Sequence, residues 1–195
     1  MYNVKLTTKE KILLNTLKLI DKNPFPKIST KQIANETGIS EGAIFKHFKN
    51  KEELLQHLCD KFLTIVTTID LTNISNETDF RKILISFFQN LQRTQNQVYK
   101  LVLYISMYKK SQFKIFNKII NEEVYKKIEE VVKNNIKNWN YNEKINIKIH
   151  VRLLMYSLYF FTIQQQVFGA DKIENFDMKK VIETSVDNFL MGLKK

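Results

Sequence analysis

One cysteine, two prolines, four glycines and three arginines in 195 residues exclude a good deal. A lone cysteine, Cys59, cannot close an internal disulfide, so stability must come from a packed core. The length suffices for one domain, or for a small module fused to a larger one. Scarce glycine and proline argue against a turn-dense β sandwich or barrel and for long helices with few connections. No segment offers the ~20 uninterrupted apolar residues of a membrane span. The richest, residues 151–163, is shorter and contains Arg152. The first eight residues lack the apolar run of a signal peptide, so a cytoplasmic location without membrane attachment is expected.

What abounds is lysine, asparagine and isoleucine, with a net charge of +11. An excess of that size implies an acidic partner, nucleic acid or a membrane surface, or serves solubility alone. Residues 1–62 hold 11 Lys/Arg and 7 Asp/Glu, net +4, and residues 63–195 hold 20 and 13, net +7. Along the sequence, most of the excess therefore lies outside the N-terminal third.

Apolar residues recur at three- and four-residue spacing, which predicts an all-α chain. Thr7 with Glu10 and Ser29 with Gln32 read as capping boxes, Ser40 as an N-cap, and Asn50 with Glu53 as a further capped start. Pro24 and Pro26 stop the first helix. A long fourth helix carries Leu54, Leu55, Leu58, Phe62, Ile65, Val66 and Ile69. The polar segment 71–79 is the best boundary, giving a domain over residues 1–66 and another over 67–195. Further helices are predicted over residues 79–94, 97–108, 112–138, 142–168 and 177–192, with Gly169 a C-terminal cap.

The most informative stretch is residues 29–48, STKQIANETGISEGAIFKHF. Helices over about 30–37 and 41–48 are separated by Gly38-Ile39-Ser40, short enough only for a sharp helix-turn-helix corner. Ala34 is small where the helices cross. Gly38 ends the first helix where a left-handed backbone is cheapest without a β carbon. Ile33, Ile39, Ile44 and Phe48 point into the shared core, leaving Gly42, Ala43 and Lys46 outward on the second helix. Small residues there admit base edges of a major groove, and Lys46 is the long donor able to reach guanine N7 and O6. Thr30, His47 and Lys51 flank this face as phosphate contacts, Ser40 joins the DNA-binding set as the cap of the second helix, and Glu41 suits the helix dipole but opposes phosphate.

Residues 7–66 resemble the DNA-binding domain of the TetR family of bacterial transcriptional regulators. The resemblance runs through Ile12-Leu13, Thr30, Ile33-Ala34, Gly38-Ile39-Ser40, Phe45-x-His47-Phe48 and Lys51-x-x-Leu54. It implies a three-helix DNA-binding domain, an α-helical ligand-binding and dimerisation domain, a homodimer formed mainly by the last two helices, and repression relieved by a small ligand. Two departures stand out. Phe45 occupies a position usually held by tyrosine, so any contact it makes with DNA is apolar. Asn23-Pro24-Phe25-Pro26 replaces a glycine common between the first two helices.

In the remainder, Phe87, Phe88, Tyr104, Tyr108, Phe116, Tyr156, Tyr159 and Phe160 are candidates for the wall of an apolar ligand pocket, with plain core as the alternative. Arg152 sits among apolar residues, an expensive place unless it meets an anionic ligand or a carboxylate. Leu154, Leu158, Val181, Val186, Phe189 and Leu190 are the expected dimer contacts. Lys109, Lys110, Lys114 and Lys118 read as a solvated face. Cys59 reads as a small buried residue. His47, His57 and His150 are scattered, no cluster has metal-ligand spacing, and no nucleophile or phosphate-binding loop is visible, so neither catalysis nor a cofactor is expected. The leading reading is a dimeric repressor released from an inverted-repeat operator by a small, largely apolar ligand. The alternative is an architectural or protein-interaction DNA-binding protein of the same fold with no ligand.

Overall fold

The structure is a computed structural model that describes residues 6–72, 74–93 and 96–195. The sequence-predicted helix end at Thr94 and one position of the 71–79 boundary segment lie outside the described residues. Ten α-helices run in order: α1 Thr8–Lys22, α2 Thr30–Thr37, α3 Glu41–Phe45, α4 Lys51–Val66, α5 Glu77–Gln92, α6 Asn96–Tyr108, α7 Lys110–Ile120, α8 Lys126–Asn134, α9 Ile147–Gln166 and α10 Met178–Gly192. A 3-10 turn, Phe25–Lys27, follows α1, and a π-helical turn, Asn121–Tyr125, joins α7 to α8. No strand occurs among the described residues beyond an isolated bridge between Tyr141 and Lys194.

Helix ends follow the caps. Thr7 and Ser29 each close a reciprocal capping box, with Glu10 and Gln32. The Ser40 hydroxyl accepts from the Ala43 N–H at 3.2 Å, and Asn50 Oδ1 accepts from the Glu53 N–H at 2.9 Å. Each such cap satisfies a backbone donor that has no partner inside the helix and contributes ~1 kcal/mol. Several boundaries depart from the sequence expectation. Helix α4 ends at Val66, short of Ile69, and the helix expected over 112–138 is broken by the π turn and ends at Asn134. Helix α3 stops at Phe45, with Lys46 as its C-cap, so it is shorter than residues 41–48. The penultimate helix starts at Ile147 because Asn146 accepts from the Ile149 N–H, which leaves residues 142–146 outside it.

The chain divides into two compact units. The first comprises Met1–Leu63 with Asn96–Phe116, and the second comprises Thr64–Gln95 with Asn117–Lys195. In the first, α1 packs on α2 and on α6, and α2 packs on α3. Its core includes Ile12, Ile33, Leu55 and Ile105, all fully buried. A side chain of that size contributes roughly 1.5–3 kcal/mol on burial. Cys59 lies in this core, 4% exposed, and burial pushes its thiol up to about 12, where no reactive thiolate forms at neutral pH.

In the second unit α10 packs on α5 and α9, and α8 packs on α9, around Phe80, Leu84, Ile128, Val151 and Val186. Two ties close it. Arg81 on α5 grips Asp187 on α10 with a fork of 2.5 and 2.9 Å. The Asn142 N–H donates to the Leu193 carbonyl at 2.8 Å, fastening the last residues to the turn before α9.

Candidate nucleic-acid interface

The corner between α2 and α3 rests on one backbone conformation. Gly38 takes φ 72° and ψ 35°, the left-handed region, as the C-cap of α2. Its N–H and that of Ile39 return to the carbonyls of Asn35 and Ala34, at 3.2 and 3.1 Å, which uses up acceptors the helix end would leave bare. The chain then reverses through Ser40 into α3. Ile33, Ala34, Ile44 and Phe48 are buried at 2% exposure or less and fix the corner from within.

That inward set determines what faces out. Glu41, Gly42, Phe45 and Lys46 are exposed, and Ala43 and His47 are half-buried beside them. A β carbon at Gly42 would meet nothing within 4 Å, so its face is open. Phe45 presents an exposed ring on the same face. Thr30, at the first turn of α2, donates its hydroxyl hydrogen bond to the Glu41 carboxylate and so couples the two helices across the face. The Ser40 oxygen serves the cap, which leaves its O–H free to donate outward.

Lys51, at the first turn of α4, is more tightly held than the sequence suggests. Its ammonium donates to the Pro26 carbonyl at 3.0 Å and lies 4.8 Å from the centre of the Phe25 ring. Burial pushes its ionisation below the ordinary lysine range. The Pro24-Phe25-Pro26 segment is therefore a platform for this lysine as well as a loop. Glu52, next along α4, pairs with Lys109 at 2.5 Å. Sequence reading missed Phe25, Pro26 and Lys109, since all three act through contacts distant along the chain.

The sequence-predicted ligand residues are divided between the two units. Tyr104, Tyr108 and Phe116 belong to the first unit, and Phe87, Phe88, Arg152, Tyr156, Tyr159 and Phe160 to the second. Phe116 is buried and stacks on Phe62 at 5.7 Å. Tyr104 lines a recess of about 290 Å³ together with Ile20, Pro24, Phe25 and Leu101. Phe87 and Phe88 are buried edge to face at 5.3 Å. Tyr108, Tyr156 and Phe160 stand out from the surface, 68%, 52% and 56% exposed.

Arg152 finds a protein carboxylate. It donates to Glu129 at 2.7 Å and to Asn121 at 2.6 Å, with its guanidinium 4.2 Å from the Tyr125 ring centre. The widened π turn carries both Asn121 and Tyr125 to it. Burial pushes the Tyr125 phenol up to about 12 and raises that of Tyr159 as well. Of the residues expected at a dimer contact, Leu154, Leu158, Val186, Phe189 and Leu190 are buried within the protomer. The exposed stripe on α9 is Ile149, Leu153, Tyr156 and Phe160 instead.

Residues 12–58 match the family of bacterial regulatory proteins, tetR family. This is a tetR-family helix-turn-helix module. Over 55 residues the chain is 40% identical to the HTH-type transcriptional regulator YerO of Bacillus subtilis, spanning 28% of this chain and 19% of that protein. Over 56 residues it is 32% identical to the nucleoid occlusion factor SlmA of Shewanella baltica, spanning 29% and 28%. The chain thus matches less than a third of the length of these curated relatives. At the level of fold it resembles the fatty acid degradation regulator FadR from Bacillus halodurans, with a TM-score of 0.77 over 97% of both chains at 15% identity. Residues 12–58 are thus similar to the helix-turn-helix modules of transcriptional regulators, and the chain as a whole is similar in fold to FadR. Among the described residues no helix is long and apolar enough to cross a membrane, and no group of His, Cys, Asp and Glu is placed to hold a metal ion.

Proposed function

We propose that the protein is a dimeric, sequence-specific DNA-binding regulator of transcription in the cytoplasm, a repressor whose operator affinity is lowered by a small, largely apolar ligand. The observation that carries the reading is the outward face of α3. A buried Ile44 and Phe48 force Gly42, Phe45 and Lys46 to the surface on a corner closed by left-handed Gly38. Such a face is small at its centre and cationic at its end, which suits a major groove. In this reading Lys46 reads a guanine, Gly42 and Ala43 allow close approach, Phe45 covers its ring against sugar or a thymine methyl, and Ser40, His47 and Lys51 hold phosphates. Thr30 joins them by turning its hydroxyl from Glu41 to the backbone.

The apolar stripe of α9 supports a dimer. Ile149, Leu153, Tyr156 and Phe160 follow a 4-3-4 spacing on one helical face, each more than half exposed, and such a seam loses its cost on meeting a second copy. Two recognition helices in one dimer call for an inverted-repeat operator with half-sites one turn or somewhat more apart. In this reading residues 1–66 serve DNA and 67–195 serve ligand and dimer, although 96–116 fold with the first compact unit, and α4 runs continuously from Lys51 to Val66. A ligand that prefers the conformer with misplaced recognition helices lowers operator affinity by its differential binding energy. Buried Phe87 and Phe88 with half-buried Tyr159 suit an apolar ligand, in keeping with the name of the structurally similar fatty acid degradation regulator.

A second reading, an architectural DNA-binding protein with no ligand, draws on the likeness to the nucleoid occlusion factor. Anisotropy titrations of selected and arbitrary duplexes separate the two. The repressor reading expects Lys46→Ala to change which sequences bind, and Lys51→Ala to weaken all of them and flatten the salt slope by about one unit. Equal loss on every sequence for both variants overturns Lys46 as a base reader.

A further inference from the structure

We propose that Tyr108 and Lys110, where α6 gives way to α7, form a second phosphate-gripping shoulder on the first unit, beside the N-terminus of α4. The proposal rests on the DNA-binding reading above and extends its footprint beyond the helix-turn-helix.

The argument begins with charge. Folding brings residues 96–116 into the same compact unit as the helix-turn-helix, and that stretch contains Lys100, Lys109, Lys110 and Lys114 with no acidic residue. Counted by unit, the first holds 15 Lys/Arg and 7 Asp/Glu, net +8, and the second holds 16 and 13, net +3. The basic excess that looked remote from the module along the sequence is thus concentrated with it. Attraction to a polyanion follows the charge of the folded unit.

Contacts then place the shoulder. A run of rings leads from Tyr108 to Tyr104 at 5.6 Å and from Tyr104 to Phe25 at 5.8 Å, and Lys51 lies over Phe25. Lys109 pairs with Glu52 in the first turn of α4. Tyr108 and its neighbours are therefore fastened to the helix end assigned to phosphate. Lys109 also cancels a carboxylate that would repel the backbone there, and the hydrogen bond to Glu52 raises its ionisation, keeping it charged. Tyr108, 68% exposed, and the exposed Lys110 remain to face solvent. A phenolic O–H and a flexible ammonium two residues apart at an exposed helix junction are donors of the kind that bind phosphate without reading bases.

The test uses the full chain and a labelled 30-base-pair duplex of arbitrary sequence, by anisotropy across a series of salt concentrations. Lys110→Gln should lower the magnitude of the salt slope by about 0.9 and weaken binding several-fold at low salt. Tyr108→Phe should weaken binding about two- to threefold with the slope kept, since it removes a neutral donor. Lys180→Gln, the same charge change on α10, should alter neither. A slope unchanged by Lys110→Gln, or flattened equally by Lys180→Gln, overturns the shoulder while leaving the helix-turn-helix assignment standing. Binding of the wild type to phosphatidylglycerol vesicles that Lys110→Gln abolishes, with its duplex slope unmoved, overturns it in favour of a membrane surface. A wild-type chain that binds no duplex at all removes the DNA reading and the shoulder together.

Discussion

The two compact units solve opposite surface problems with the same secondary structure. On the first, α3 and its C-cap turn Glu41, Gly42 and Lys46 outward with one large ring, Phe45, while Ile33, Ile44 and Phe48 are held inside. On the second, α9 turns Ile149, Leu153, Tyr156 and Phe160 toward solvent. A surface that enters a groove lined with hydrogen-bonding edges and flanked by phosphates tolerates little apolar bulk, because most of it would displace water without replacing its hydrogen bonds. A surface that must lose its water against a copy of itself benefits from bulk. The segment matched to the tetR family by sequence, residues 12–58, lies wholly in the first unit, while the whole chain resembles FadR in fold at 15% identity. A helix corner aimed at a duplex restricts residue type at fixed positions, whereas a helical bundle asks only for apolar faces of the right period.

The sharpest way to break this contrast is to charge the α9 stripe. Leu153→Lys with Phe160→Lys should turn a dimer into a monomer in sedimentation and cost 10²- to 10⁴-fold or so in affinity for a two-half-site duplex, since the second half-site is then no longer reached intramolecularly. An unchanged mass would move the dimer contact elsewhere. A smaller effect probes the corner of the first unit. Gly38→Ala places a β carbon in open space but at φ 72°, so it should destabilise the protein by about 1–2 kcal/mol through backbone strain alone. Urea unfolding measures this, and Gly38→Asn should recover part of the loss.

The smallest expected effect concerns the fork between Arg81 and Asp187. Both side chains are more than a third exposed, so Asp187→Asn should cost less than about 1 kcal/mol at neutral pH. The arginine hydrogen bond holds the Asp187 carboxyl below the usual carboxylate range. Its contribution is therefore complete above the unfolded value of about 4 and disappears as pH falls through the lower folded value. Wild type and variant should converge in acid, and a gap that widens there would assign the stabilisation to another group.

Much of the first unit was legible from residue order because its signals are local. Thr7 with Glu10, Ser29 with Gln32, and Gly38 with Ser40 act within three or four residues, and each sits where its type predicts. The hold of Pro26 and Phe25 on Lys51 is not local, since it depends on how a proline-bounded turn folds back on α4. The charge distribution misleads for a related reason: sequence segments and compact units are different partitions of the chain, and residues 96–116 change sides between them. In α9 the difficulty is periodicity. Apolar residues occupy two faces, with Val151, Leu154, Leu158 and Thr162 turned inward and Ile149, Leu153, Tyr156 and Phe160 outward. A helix apolar almost all round carries no internal indication of which face meets the core, and only its packing on α8 and α10 decides.

The central claim is that a paired α3 reads DNA sequence, and selection of bound duplexes from a fully randomised pool tests it most directly. The account predicts enrichment of an inverted repeat whose half-site centres lie about one helical turn or somewhat more apart, and a shift of preference at one base pair in each half-site for Lys46→Ala. A pool that stays random, or one enriched for a single unrepeated site unaffected by Lys46→Ala, would contradict it.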